Sequence, residues 1–85
     1  MSRYDKLKRK LLTSPAHITF EELDKVLVRE GCTRRQPRAG SSHYVYTRDD
    51  LEGLLTVPYK RPHVSRHYVH AVVEWLGLTE REDDE

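Results

Sequence analysis

The sequence predicts a single α+β domain with one helix before and one helix after three antiparallel strands, and with an extra helix at the N-terminus. Apolar residues at helical spacing occur on both sides of the middle of the chain, and a glycine ends each of these stretches. Between them lie three short runs of strand-forming residues that turn residues separate. With 85 residues the chain is too short for two independent cores, so residues 1–79 are predicted to form one domain.

Two helices are predicted before the strands. Residues 2–12 form the extra N-terminal helix, which is basic and stops before Pro15. Its apolar face is made of Tyr4, Leu7 and Leu11. Thr19 and Glu22 have the spacing of a capping box, and an apolar stripe follows, so residues 19–30 are predicted to be the second helix. The glycine after it supplies a left-handed stop.

Three strands and a last helix complete the prediction. The strands cover residues 32–36, 43–48 and 54–57. Alternation puts Tyr44 and Tyr46 on one face of the middle strand and His43 on the other. Two large aromatic side chains bury more area than Val45 and Thr47, which share the face of His43. We therefore expect the tyrosines to face the helices. Ser65 is the predicted N-cap of the last helix, which runs to about residue 76.

The charge is unevenly distributed along the chain. The net charge is +1, but the last six residues, 80–85, hold five acids and one arginine and are predicted to be a disordered acidic tail. Residues 1–79 carry 14 Lys and Arg against 9 Asp and Glu. The middle of the chain, residues 32–70, holds seven of those cations, three acids and four histidines. An anionic partner for the middle is one interpretation, and an ordinary solvated surface is the other.

Composition also limits the kinds of protein that the chain can be. A single cysteine, Cys32, excludes an intramolecular disulfide and a zinc site made of cysteines alone. No apolar run is long enough to span a bilayer, and no signal-peptide core follows Met1. The sequence therefore predicts a soluble, cytoplasmic protein with no membrane partner.

The candidate site is the stretch that opens the middle strand. A Gly-Ser-Ser turn leads into His43, and basic segments precede and follow it. The candidate phosphate contacts are Arg34, Arg35, Arg38, Lys60 and Arg61. A titratable side chain between cations suits a site that handles phosphodiesters. The same cations are also explained as charge that keeps an edge strand from aggregating.

Three groups of residues give the chain a resemblance to a known family. They are Leu23 to Gly31, then Gly40-Ser41-Ser42-His43, and then Leu55-Thr56-Val57-Pro58 together with the helix that ends at Leu76-Gly77-Leu78. In this order and spacing the chain resembles the HicA family of toxin–antitoxin modules over about residues 19–78. Ser42 stands between Ser41 and His43, where many relatives have histidine directly after Gly-Ser, and Tyr59-Lys60 stands where a basic or histidine pair is often found.

The resemblance implies a fold like that of double-stranded-RNA-binding domains and a messenger-RNA-cleaving ribonuclease that a HicB-type antitoxin neutralises. His43 matches the family's catalytic histidine. As a general base it would activate a ribose 2′-hydroxyl, so that neither a metal nor another cofactor is expected. Ser41 and Ser42, which form the turn, join the five cations as expected RNA contacts. A non-catalytic RNA-binding module and a protein-interaction domain for an acidic partner remain alternatives, as does a metal site at His63, His67 and His70.

Overall fold

The computed structural model describes residues 3–35 and 42–78. Its elements are helix α1 (Arg3–Thr13), a 3₁₀ turn (Pro15–His17), helix α2 (Phe20–Arg29), strands β1 (Thr33–Arg35), β2 (His43–Thr47) and β3 (Leu55–Pro58), and helix α3 (Arg66–Leu76). The strands form one antiparallel sheet in the order β1-β2-β3. The α+β class with three helices and a three-stranded antiparallel sheet therefore agrees with the sequence prediction. The predicted acidic tail lies outside the described residues.

Helix α2 has the end signals that the sequence predicted. The hydroxyl of Thr19 accepts a hydrogen bond from the Glu22 amide at 3.1 Å, and the Glu22 carboxylate accepts one from the Thr19 amide at 3.0 Å. At the other end Gly31 has a φ of 95°, and the amides of Gly31 and Cys32 bond the carbonyls of Val28 and Leu27. This left-handed ending satisfies carbonyls that the helix itself leaves without partners.

The core lies between the helices and one face of the sheet. Its buried residues are Leu11, Ile18, Phe20, Leu23, Val26, Leu27, Cys32, Tyr46, Val57, Val64, Val69 and Val72. Tyr46 is fully buried and Tyr44 packs against the same cluster, so the predicted orientation of the tyrosines toward the helices is confirmed. No helix in the described part of the chain is long and apolar enough to cross a membrane.

The other face of the sheet, here called the open face, carries Thr33, Arg35, His43, Val45, Thr47, Thr56 and Pro58. These side chains alternate with the core-facing residues of the same strands, and paired residues of neighbouring strands share a face. All seven are exposed or half-buried. The sheet therefore has one face in the core and one face that meets solvent.

The strand ends differ from the prediction by one residue. The middle strand ends at Thr47 rather than Arg48, whose side chain turns away to pair with Asp50 and to donate to the Glu30 carbonyl at 2.9 Å. The third strand includes Pro58, which proline's missing amide allows at the end of an edge strand. The 3₁₀ turn was not predicted, because its three residues carry no periodic signal.

Candidate functional site

His43 is the first residue of the central strand and lies on the open face. Its side chain is exposed, and Pro58 is its partner on β3. Arg35 pairs with Val45 across β1 and β2, so Arg35 and His43 are diagonal neighbours on the same face. Diagonal positions in an antiparallel sheet lie about 7–8 Å apart, which is within reach of a long side chain. The fold thus brings one of the predicted cations beside the predicted catalytic histidine.

Lys60 lies at the same end of the sheet. The Tyr59 amide donates to the Ser42 carbonyl at 2.7 Å, which extends the β2–β3 pairing beyond the strand ends. Lys60 and Ser42 are both exposed there. Continued alternation after Pro58 assigns Lys60 to the face of His43. Arg35 and Lys60 are therefore the predicted cations assigned to the face of His43, while Ser42 lies next to His43 at the same end of the sheet.

Arg34 lies on the opposite face, toward the helices. It pairs with Tyr46 across the strands, and its guanidinium is 3.0 Å from the carboxylate of Asp24 on α2. The guanidinium carbon lies 5.6 Å from the centre of the Tyr44 ring. The charge of Asp24, together with the hydrogen bond to it, raises the pKa of Arg34. Arg34 thus forms an ion pair on the side of the sheet away from His43.

Arg61 also joins the helix side, through Tyr59. Its Nε donates to the Tyr59 hydroxyl at 3.1 Å, and this hydrogen bond is the main cause of its raised pKa. The Tyr59 hydroxyl in turn donates to Glu21 of α2 at 3.2 Å, and the Tyr59 ring packs against Phe20 with 4.9 Å between ring centres. These two hydrogen bonds, which share the Tyr59 hydroxyl, link the loop after β3 to the start of α2.

The remaining predicted contacts, Arg38 and Ser41, lie outside the described residues. The prediction missed the aromatic cluster of Phe20, Tyr44 and Tyr59. It also missed two acids of α2, Asp24, which pairs with Arg34, and Glu21, which accepts from the Tyr59 hydroxyl. Alternation from Val57 would have placed Tyr59 on the helix side. The pairing of Arg34 with Asp24 has no local sequence signal, since the two are ten positions apart and a turn lies between them.

Three of the other histidines make ring contacts. The rings of His17 and His63 meet edge to face with 5.7 Å between their centres, while His67 contacts Tyr68 in the same manner. His63 is thus paired with the 3₁₀ turn rather than with His67 and His70. Over residues 3–35 and 42–78, no group of three or more His, Cys, Asp or Glu is placed to hold a metal ion.

In comparisons with known proteins, no family model, no curated protein and no solved structure matches the chain. The resemblance to the HicA family consequently depends on the three groups of residues quoted above. Function has to be argued from the site itself.

Proposed function

We propose that the chain is a ribonuclease of the HicA type, with a fold like that of double-stranded-RNA-binding domains and with His43 as its general base. The observation that carries the proposal is the position of His43. It is an exposed histidine at the start of the central strand, on the face of the sheet that meets solvent. Arg35 and Lys60 bring positive charge to the same face and the same end of the sheet.

This arrangement suits cleavage by the RNA's own 2′-hydroxyl. His43 removes the hydroxyl proton, the 2′-oxygen attacks the adjacent phosphorus, and the bond from phosphorus to the 5′-oxygen breaks. The protonated imidazole then supplies a proton to the leaving oxygen, and the product strand ends in a 2′,3′-cyclic phosphate. Arg35 and Lys60 stabilise the extra negative charge on the phosphorane. Electrostatic stabilisation of this kind is usually the largest single contribution to catalysis.

Messenger RNA is the substrate that the family resemblance suggests, and a HicB-type antitoxin is the protein partner. The simplest inhibitor would cover His43 and place carboxylates against Arg35 and Lys60. Opposite charges of this kind speed association and fix the orientation of the partners more than they add affinity. The half-buried Val45 beside His43 offers an apolar contact at the centre of that surface.

The test is RNA cleavage by the purified protein and by His43→Ala, with EDTA present in one series. We expect the wild type to cut RNA with and without EDTA and to leave 2′,3′-cyclic or 3′-phosphate ends. His43→Ala should abolish cleavage at a stability cost of about 1 kcal/mol or less, because the side chain is exposed. His67→Ala, which removes another exposed histidine from α3, is the matched control and should cut normally.

Three results would contradict the proposal. Cleavage at the wild-type rate by His43→Ala would remove the general base. Loss of cleavage on chelation, restored by zinc, would favour metal chemistry. Salt-sensitive RNA binding without cleavage would leave a non-catalytic RNA-binding module.

A further inference from the structure

Two tyrosines form the outer layer of an aromatic patch on the helix side of the sheet. The patch consists of Phe20, Tyr44 and Tyr59, with ring centres 5.0 Å apart for Phe20 and Tyr44 and 4.9 Å apart for Phe20 and Tyr59. Phe20 is buried, whereas both tyrosines are half-buried and reach the surface. At this point the side chains between the core and the surface are thus the aromatic rings of Tyr44 and Tyr59.

An arginine flanks each tyrosine. The guanidinium carbon of Arg34 lies 5.6 Å from the centre of the Tyr44 ring, and that of Arg61 lies 5.8 Å from the centre of the Tyr59 ring. Both arginines are exposed. Aromatic rings beside guanidinium groups are the surface on which proteins stack unpaired RNA bases and hold the neighbouring phosphates.

The patch lies at the same end of the sheet as His43. Tyr44 follows His43 in β2, and Tyr59 follows Pro58, the cross-strand partner of His43. Side chains of consecutive strand residues point to opposite faces, so the patch and His43 flank one end of the sheet from its two sides. A single strand that contacted both would have to pass this end of the sheet.

We propose that the aromatic patch is a nucleotide-binding subsite, which stacks an unpaired base of the RNA on Tyr59 and Tyr44 and holds adjacent phosphates with Arg61 and Arg34. The proposal deepens the proposed function, since it names the class of RNA that reaches His43. A paired base cannot leave its stack without an energetic cost, so the subsite selects single-stranded RNA. Recognition of duplex RNA would instead depend on helix shape and on contacts with phosphates and 2′-hydroxyls.

Two carboxylates of α2 border the subsite and work against the phosphates. Glu21 accepts the hydrogen bond of the Tyr59 hydroxyl, and Asp24 holds Arg34. Glu21 is exposed, and its charge repels any phosphate that approaches Arg61. Neutralising it should therefore tighten RNA binding, which a purely structural role of Tyr59 does not predict.

Binding is best measured with a mixed-sequence 2′-O-methyl RNA oligonucleotide, which lacks the attacking hydroxyl and stays intact. Tyr59→Leu keeps apolar packing on Phe20 but removes the ring, and we expect it to weaken binding about 5- to 150-fold. Tyr59→Phe keeps the ring and should lose much less. Glu21→Gln should bind more tightly than the wild type. Tyr68→Leu, a half-buried tyrosine on α3, is the control and should bind as the wild type does.

A pre-annealed duplex of the same sequence should bind more weakly than the single strand and should respond little to Tyr59→Leu. Equal binding by wild type and a folded Tyr59→Leu, or a change that equals the change for Tyr68→Leu, would overturn the subsite. Cleavage that depends on His43 but not on Tyr59 would sink the subsite alone and leave the ribonuclease standing. Binding that depends on Tyr59 without any cleavage would keep the subsite and refute the catalytic proposal.

Discussion

At the residue scale, one carboxylate joins the sheet to α2. Asp24 accepts a hydrogen bond from the fully buried Tyr46 at 2.7 Å, and the same oxygen lies 3.0 Å from Arg34. Burial raises the pKa of Tyr46, and the hydrogen bond to Asp24 raises it further, so the hydroxyl remains a donor. The exposed ion pair adds little, whereas the buried hydroxyl depends on its acceptor.

Substitutions at Asp24 should separate these two contributions. Asp24→Asn keeps an oxygen for Tyr46 and loses only the charge, so we expect a loss of unfolding free energy below about 1 kcal/mol. Asp24→Ala leaves a buried hydroxyl without its partner and should cost about 1–3 kcal/mol. Chemical denaturation of the two variants measures the difference.

A second variant checks the cause. Adding Tyr46→Phe to Asp24→Ala removes both hydrogen-bonding groups and should recover part of the loss, because two missing partners leave nothing unsatisfied. Asp49→Ala removes an exposed carboxylate from the β2–β3 loop and serves as the control. Equal losses for Asp24→Asn and Asp24→Ala would show that charge, rather than the buried hydroxyl, makes Asp24 important.

Residue by residue, the sequence predicts faces better than partners. Alternation and side-chain size are enough to orient Tyr44 and Tyr46 toward the helices. They also assign His43 to the solvent side. The partner of Arg34 depends on how α2 lies across the sheet, which no local pattern contains. The sequence therefore predicts the five candidate cations as one group, whereas the structure distributes Arg34, Arg35, Lys60 and Arg61 over two faces.

At the element scale, α2 is the element to which the others are tied. Its first turn is linked to α1 through Lys10, whose ammonium lies 2.8 Å from the Glu22 carboxylate. At its last turn the Glu30 carboxylate accepts from the Tyr4 hydroxyl, while the Glu30 carbonyl accepts from Arg48. Polar contacts at both ends thus hold a helix whose other face is buried.

The contact with Lys10 should make the stability of the fold depend on pH in the acid range. Burial opposes ionisation of Glu22, but the hydrogen bonds from Lys10 and Thr19 outweigh it and lower the pKa of Glu22 from its usual 4.5. Because this pKa is lower in the folded than in the unfolded protein, the stabilisation is complete above pH 4.5 and is lost as the pH falls through the folded value. Stability should therefore fall on acidification below that range.

Glu22→Gln isolates this contribution. Glutamine can still complete the capping box, so at neutral pH only the ion pair is lost, at about 0.2–1 kcal/mol. The difference in unfolding free energy from the wild type should be constant above pH 4.5 and shrink toward zero at lower pH. Glu74→Gln, an exposed position on α3, supplies the control. If the difference in unfolding free energy between Glu22→Gln and the wild type grew on acidification, the predicted role of Glu22 would be contradicted.

Element positions were largely predictable because their signals are local. Thr19 and Glu22 define the start of α2, and Gly31 defines its end, so both bounds follow from the sequence. The last residue of a strand is less certain, since it depends on side chains such as Arg48, which leaves the ladder to pair with Asp50 and bond Glu30. The short turn at Pro15–His17 is accompanied by contacts with the segment before α3: the rings of His17 and His63 meet, and the Val64 amide donates to the Ile18 carbonyl. These partners are more than forty positions away in the sequence, so no local pattern contains them.

At the scale of the whole molecule, the faces on which the described positive charges lie matter more than their sum. Arg34 and Arg61 are held on the helix side by contacts to Asp24 and to Tyr59. Arg35 and Lys60 are exposed at the end of the sheet where His43 lies. RNA that reaches His43 should thus depend on particular cations and not on the net charge of the chain.

The salt dependence of RNA binding tests this reading of the charge. Each phosphate contact on a single strand contributes about 0.7 to the slope of log affinity against log salt concentration. Arg35→Gln should lower the slope by about that amount and leave the unfolding free energy nearly unchanged, because the side chain is exposed. Lys6→Gln removes the same charge from an exposed position on α1, which belongs neither to the open face nor to the aromatic patch, and should leave the slope as it is. If both variants reduced the slope equally, the RNA would be held by the general charge of the protein. That result would contradict specific RNA binding at the open face. It would also mean that no cation beside His43 positions the RNA for cleavage.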